Sequence, residues 1–160
     1  MNTINNKKFF CSWSGGKDSC LALFEAIQMG GIPKALVTMM IEDNKRSRSH
    51  GLPVEVLKKQ AESLNIPLYV YSTSWENYED VFKGAIRSLK EEGVEWGVFG
   101  DIDLEPHLEW VERVCNSENV TAFEPLWKKK RMDLLTRFID LDFSTTVISI
   151  KEEKLKRSFL

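Results

Sequence analysis

Residues Ser14-Gly15-Gly16-Lys17-Asp18-Ser19 set two glycines, two hydroxyls, a cation and a carboxylate in six consecutive positions. The apolar run Phe9-Phe10-Cys11 precedes them and a helical pattern follows, so the chain reads strand, tight loop, helix. Unpaired amides at a helix start, aided by the helix dipole, attract an anion. Gly15 and Gly16 let the backbone approach a ligand closely, the Ser14 and Ser19 hydroxyls add donors, and Lys17 supplies positive charge for phosphate oxygens. Asp18 suits such a place when a magnesium ion bridges it to the anion. Neither G-x-x-x-x-G-K-[ST] nor G-x-G-x-x-G can be laid on the loop. A plain Gly-Gly turn with an Asp cap and a solvated lysine is the structural alternative. The complete hexad in its strand-to-helix setting favours phosphate binding.

Other chemistry-bearing residues are less distinctive. His50 closes the basic stretch Lys45-Arg46-Ser47-Arg48-Ser49-His50, a solvated mobile loop unless it folds over a phosphate. His107 follows Pro106 in a helix's first turn and reads more as helix surface than as active site. The run Lys128-Lys129-Lys130-Arg131 suits the exposed start of a helix better than a substrate contact. Trp110 and Trp127 fit a core or a pocket wall equally well. Cys11, Cys20 and Cys115 are widely spaced, with no C-x-x-C, and read as small buried thiols.

The elements that must position these groups alternate. Cys20, Leu23, Phe24 and Ile27 recur at helical spacing and Gly30-Gly31 stops that helix. Ala35 to Ile41 is a near-continuous apolar run, as in a parallel strand covered on both faces. A polar loop follows from Glu42 to Gly51. Val54, Leu57, Ala61 and Leu64 mark a second helix, closed by Asn65 and Pro67. Leu68 to Tyr71 reads as a strand, and Ser72-Thr73-Ser74 supply N-cap candidates for a helix carrying Tyr78, Phe82, Ala85 and Leu89. Val94 to Phe99 is a fourth strand, running into Gly100-Asp101. Leu108, Val111, Val114 and Cys115 face inward from the next helix. Val120 to Phe123 is a short strand, Met132, Leu135 and Ile139 mark a further helix, and β-branched Thr145 to Ile150 predicts a last strand. The expectation is a single α/β domain over 1–150 with a mostly parallel sheet and right-handed crossovers, then a charged tail over 151–160.

Composition narrows the classes. In 160 residues, 42% hydrophobic and 29% charged content describes an ordinary globular chain. A net charge of −2 argues against a surface built for nucleic acid or an anionic membrane. No apolar run approaches the length of a membrane span and nothing at the start reads as a secretory signal, so a cytoplasmic protein is expected. An exposed sheet edge leaves room for a homo-oligomer.

The hexad resembles the PP-loop of the N-type ATP pyrophosphatases. Further segments narrow the resemblance to the diphthine–ammonia ligase-like branch: His50-Gly51, Gln60-Ala61-Glu62 with Ile66-Pro67-Leu68, Phe99-Gly100-Asp101-Ile102, His107, Trp110 to Glu112, Val114-Cys115, and above all Ala122-Phe123-Glu124-Pro125-Leu126-Trp127 with Leu134-Leu135. The resemblance implies a Rossmann-like, three-layer α/β/α fold of the adenine nucleotide alpha hydrolase type. It further implies that ATP, with Mg2+, is cleaved between its α and β phosphates. A carboxylate is adenylated, pyrophosphate leaves, and ammonia displaces AMP to give an amide. Carried over, Ser14, Gly15, Gly16, Asp18 and Ser19 would hold the pyrophosphate and its magnesium, with Asp18 the metal contact. Lys17 would neutralise charge as the bond breaks, which makes Lys17 and Asp18 the catalytic candidates. Gly100 and Asp101 would line the nucleotide pocket, and His50, Glu124 and Trp127 are candidates for the substrate side. The ligase-like proteins also carry a G-E-x-G-E-[FY]-H-T segment that these 160 residues do not contain, so a nucleotide-binding module whose substrate half comes from elsewhere is the alternative reading.

Overall fold

The computed structural model describes residues 3–150 and 153–154. Ten elements alternate along it: β1 (Lys8–Ser12), α1 (Lys17–Gln28), β2 (Ile32–Met40), α2 (Val54–Leu64), β3 (Leu68–Ser72), α3 (Tyr78–Glu91), β4 (Trp96–Val98), α4 (Glu105–Ser117), β5 (Thr121–Phe123) and α5 (Arg131–Asp140). They fall into two compact units, one ending at Lys129 and the other beginning at Lys130.

The first unit holds a five-stranded sheet in the order β3-β2-β1-β4-β5. Every strand pair is parallel, in keeping with the short apolar run of β1 and the near-continuous one of β2. The chain winds outward from β1 through β2 to β3, then crosses back to β4 and β5. The strand order therefore reverses between β1 and β4, and open α/β sheets gather ligands at the carboxyl ends of strands flanking such a switch point. The loop after β1 and Gly100-Asp101 after β4 both lie there.

The core covers the central strands β1, β2 and β4. Phe10, Ala35, Val37 and Met39 face one way and pack with Phe82, Ala85, Ile86 and Leu89 of α3 and Val111, Val114 and Cys115 of α4. Phe10 meets Phe82 and Phe99 edge-on, with ring centroids 6.1 and 5.9 Å apart. Gly97 gives Phe10 its space, since a Cβ there would lie 2.6 Å from the Phe10 ring. On the other face Cys11 lies against the start of α1, its Sγ 3.9 Å from the Ser19 carbonyl.

Local details depart from sequence periodicity in a few places. The buried stripe of α1 is Leu21, Ala22, Leu23 and Ala26, while Cys20 is half-buried and Ile27 exposed. Of the three thiols only Cys11 and Cys115 are buried, because Cys20 sits at the border of that stripe. Helix α3 begins later than the Ser72-Thr73-Ser74 cluster suggests. Asn77 precedes it, and Ser74 and Asn77 exchange hydrogen bonds, Ser74 N–H to Asn77 Oδ1 at 2.8 Å and Asn77 N–H to Ser74 Oγ at 3.2 Å. Asn65 closes α2 in the left-handed conformation, φ 52°.

In the second unit α5 forms, but its buried residues are Leu134 and Phe138, and Met132, Leu135 and Ile139 are exposed. The strand expected over 145–150 is not there. Val147 and Ile148 are exposed and among the described residues no strand pairs with them, and β-branched composition has little force without a neighbouring strand. Of the charged tail expected over 151–160, only 153–154 lie within the described residues, in a turn.

Candidate nucleotide site

The loop between β1 and α1 is built by its neighbours as much as by itself. Gly15 has φ +77°, a conformation side chains rarely adopt, and a Cβ there would meet Leu52, Leu57 and Gln60 at 2.7 to 2.9 Å. Gln60, on α2, donates from Nε2 to the Gly15 carbonyl (3.1 Å) and accepts from Trp13 Nε1 (3.0 Å). Thr38 Oγ1 donates to the Trp13 carbonyl at 2.6 Å. One helix and one neighbouring strand thus clamp the turn from below.

Gly16 caps α1 with extended backbone, and the first intrahelical bond runs from Cys20 N–H to its carbonyl. The amides of Lys17, Asp18 and Ser19 therefore precede the ladder, as helix geometry requires. Ser14 and Ser19 face each other across the loop, Oγ to Oγ 3.0 Å, and Gly16 N–H donates to Ser14 Oγ at 3.2 Å. Lys17 Nζ lies 2.8 Å from both carboxylate oxygens of Asp18, and both side chains are substantially exposed.

Two of the remaining sequence candidates join this loop. His50 covers it: a Cβ on Gly16 would lie 2.5 Å from His50 Nε2. Gly100 lies flush against it, since its Cβ would fall 2.9 to 3.0 Å from the Asp18 and Ser19 backbone. The segment carrying His50 is fastened rather than loose. Arg48 Nε donates to Thr73 Oγ1 at 2.6 Å, its Nη2 donates to the Thr73 carbonyl, and its guanidinium lies 4.7 Å from the Trp75 ring centre. Ser47 is buried and bridges to Met40.

Asp101, next to Gly100 in the chain, and Glu124 belong to a second group, linked by charge. Asp101 Oδ1 lies 2.5 Å from His107 Nδ1, and the imidazole stacks on Trp110 with centroids 5.9 Å apart. The Asp101 hydrogen bond pushes the His107 pKa up, reinforced by Asp101 and Glu124 charge. Burial first, then Glu112 and Asp101, raise the Glu124 carboxyl to about 7. Its Oε1 is buried without a hydrogen-bond partner. Trp127 stays in the turn after Glu124, donating its N–H to the Glu124 carbonyl at 3.1 Å, with Lys128 Nζ 5.8 Å from its ring centre.

Gln60, Thr38, Arg48 and Thr73 support the site without having been singled out for it in the sequence. A polar Gln60 on the face of α2 that carries Leu57 was the available signal.

A nucleotide-binding α/β unit of the PP-loop ATP pyrophosphatase-like class is what this sheet, loop and switch point define. Within that class the chain belongs to the diphthamide synthase N-terminal domain family, whose model matches residues 7–122. The fold also resembles a predicted subunit of a tRNA methyltransferase from Methanocaldococcus jannaschii, with 18% identity, TM-score 0.56, and coverage of 82% of this chain and 75% of that one. It resembles the U34-tRNA thiolase NcsA from Methanococcus maripaludis, which carries a [4Fe-4S] cluster, at 14% identity and TM-score 0.51. That alignment covers 92% of this chain and 62% of that one. No curated protein matches the chain.

Proposed function

We propose that the chain binds Mg-ATP over the Ser14–Ser19 loop and uses it to adenylate a carboxylate, releasing pyrophosphate, with ammonia then displacing AMP to form an amide. The observation that carries the reading is the loop itself. Free amides and two facing hydroxyls gather where Gly16 and Gly100 leave no room for side chains, and the Lys17 ammonium, paired with Asp18, is the cation at the same helix start. These donors fit a polyphosphate. Among the described residues no group of three His, Cys, Asp or Glu could hold a metal. Lys17 and Asp18 neutralise each other in the absence of ligand. With ligand bound, Lys17 would contact the phosphate oxygens and Asp18 would hold the magnesium that accompanies them, so that the ammonium and the metal would offset the negative charge developing on the leaving pyrophosphate. Asp101 lines the nucleotide side, and His50 closes over the phosphates.

Sulfur transfer is poorly served by these residues. Burial pushes the Cys11 thiol up and the Cys115 thiol up to about 12, and burial raises Cys20 as well, so none is a thiolate at neutral pH. A catalytically silent nucleotide-binding module is the competing reading, favoured by a family match that is itself to an N-terminal domain. Incubation with Mg-ATP and a panel of carboxylates plus ammonium chloride, followed by nucleotide chromatography, separates the readings. Adenylation gives AMP and pyrophosphate, ADP and phosphate would refute it, and intact ATP with saturable binding would favour the module.

A further inference from the structure

The loop accounts for phosphate binding and leaves Glu124 without a task. Its Oε1 is removed from solvent and accepts no hydrogen bond, while its own backbone amide serves the carboxyl from the other side. A buried carboxylate oxygen without a donor is costly, so the site favours whatever brings an N–H or O–H to it. The charged and titratable groups facing it are Asp101, in the loop after β4, and Glu112, His107 and Cys115 on α4. Two of these are carboxylates and one is a histidine already committed to Asp101 at 2.5 Å. The surroundings are acidic and short of donors. A small cation rich in N–H groups matches them; an anion does not.

The location is equally specific. Gly100 touches the Asp18–Ser19 backbone, Asp101 is its chain neighbour, and the Asp101 charge reaches Glu124, which ties the acidic group to the strand end that meets the phosphate loop. Trp110 stacks beneath His107, with 11° between the ring planes, and fixes the imidazole that fixes Asp101.

We propose that Glu124 accepts the proton of the nitrogen nucleophile, and that ammonium or a protonated primary amine is held at its orphan oxygen, with His107–Asp101 as the positioning pair. The proposal rests on the adenylation reading. Ammonium sheds one proton to water, and the nitrogen lone pair forms the C–N bond to the acyl carbon. A proton passes from nitrogen to the Glu124 carboxylate as the C–O bond to AMP breaks, its electron pair leaving on the AMP phosphate. Glu124 then returns that proton to solvent. A carboxyl titrating near neutrality suits this exchange.

The test follows the Glu124 carboxyl by carbon-13 NMR in glutamate-labelled protein. Its resonance is assigned by its loss in Glu124→Gln, or by its shift in Glu124→Asp should the first variant fail to fold. Titrations are run in ammonium, sodium and tetramethylammonium chloride at equal ionic strength. A midpoint about one pH unit lower in ammonium alone is expected, equivalent to about tenfold preference of ammonium for the ionised carboxyl. Identical midpoints in all three salts mean the oxygen meets only water, and equal shifts in all mean an unselective cation effect; either overturns the proposal. Calorimetry of Mg-ATP on the same wild-type sample separates the two claims. ATP binding without an ammonium-specific shift removes the role of Glu124 and leaves adenylation standing. An ammonium-specific shift without ATP binding removes adenylation, and the catalytic role with it.

Discussion

Replacing Glu124 by glutamine tests the electrostatics of the acidic group without changing its shape. Its carboxyl titrates at about 7 instead of 4.5, so ionising it in the folded state is unfavourable. For a raised acid the sign is fixed. Below the unfolded value both states are protonated and there is no penalty. Between pH 4.5 and about 7 the unfolded carboxyl is ionised while the folded one is not, and stability falls as pH rises. Above about 7 the penalty is complete. Taken at face value it is about 3 kcal/mol, and solvent reaching the partly exposed side chain reduces it to about 1–2 kcal/mol. Glu124→Gln should therefore gain about 1–2 kcal/mol on wild type between pH 4.5 and pH 8, read from urea denaturation at both. His107 contributes in the opposite sense to the carboxyl's cost. Its folded pKa is raised, so its pairing with Asp101 stabilises fully at low pH and is lost as pH rises through the folded value. Both proteins retain that pair, so it largely cancels in the comparison. A stability gap identical at the two pH values would refute the buried-carboxyl argument.

Further expectations follow from packing. Gly100→Ala places a methyl 2.9 to 3.0 Å from the Asp18 and Ser19 backbone, which cannot yield as a side chain can, and should weaken Mg-ATP binding more than tenfold in calorimetry. Gly15→Ala combines a positive φ with contacts on Leu52, Leu57 and Gln60, and should cost about 1–3 kcal/mol in denaturant unfolding. In α5, Leu134→Ala should destabilise the fold by about 2–4 kcal/mol while Met132→Gln changes it by less than about 0.5, measured the same way. Equal effects at Leu134 and Met132 would mean the buried face of α5 is misassigned.

The sheet was legible because its central strands, β1, β2 and β4, are buried apolar stretches. Ala35 to Met40 could hardly be anything but a central parallel strand, and the hexad after Cys11 carried its own geometry in its glycines. Less legible was anything set by a partner distant in sequence. Gln60 reaches the Gly15 carbonyl from α2, and His50 lies over Gly16 from the end of a loop that composition presents as solvated. Pairing of Arg48 with Thr73 and Trp75 is what orders that loop, and neither partner is near it in sequence. Helix α5 misled through its own composition. Met132, Leu135 and Ile139 satisfy a helical period as well as Leu134 and Phe138 do, and only packing decides which stripe is covered. At 145–150 a β-branched run found no strand to pair with, and period-two propensity alone does not make one. His107 read as helix surface because its partner, Asp101, belongs to the preceding turn and the ring's role appears only with Trp110 beneath it.

The most direct test of the central claim is calorimetric titration of Mg-ATP into wild-type protein and into Lys17→Ala, repeated with pyrophosphate present. Saturable binding, competition by pyrophosphate, and a loss of at least about tenfold in the variant are expected, the range of a charge-assisted phosphate contact. Folded wild-type protein that binds neither ATP nor pyrophosphate would contradict it.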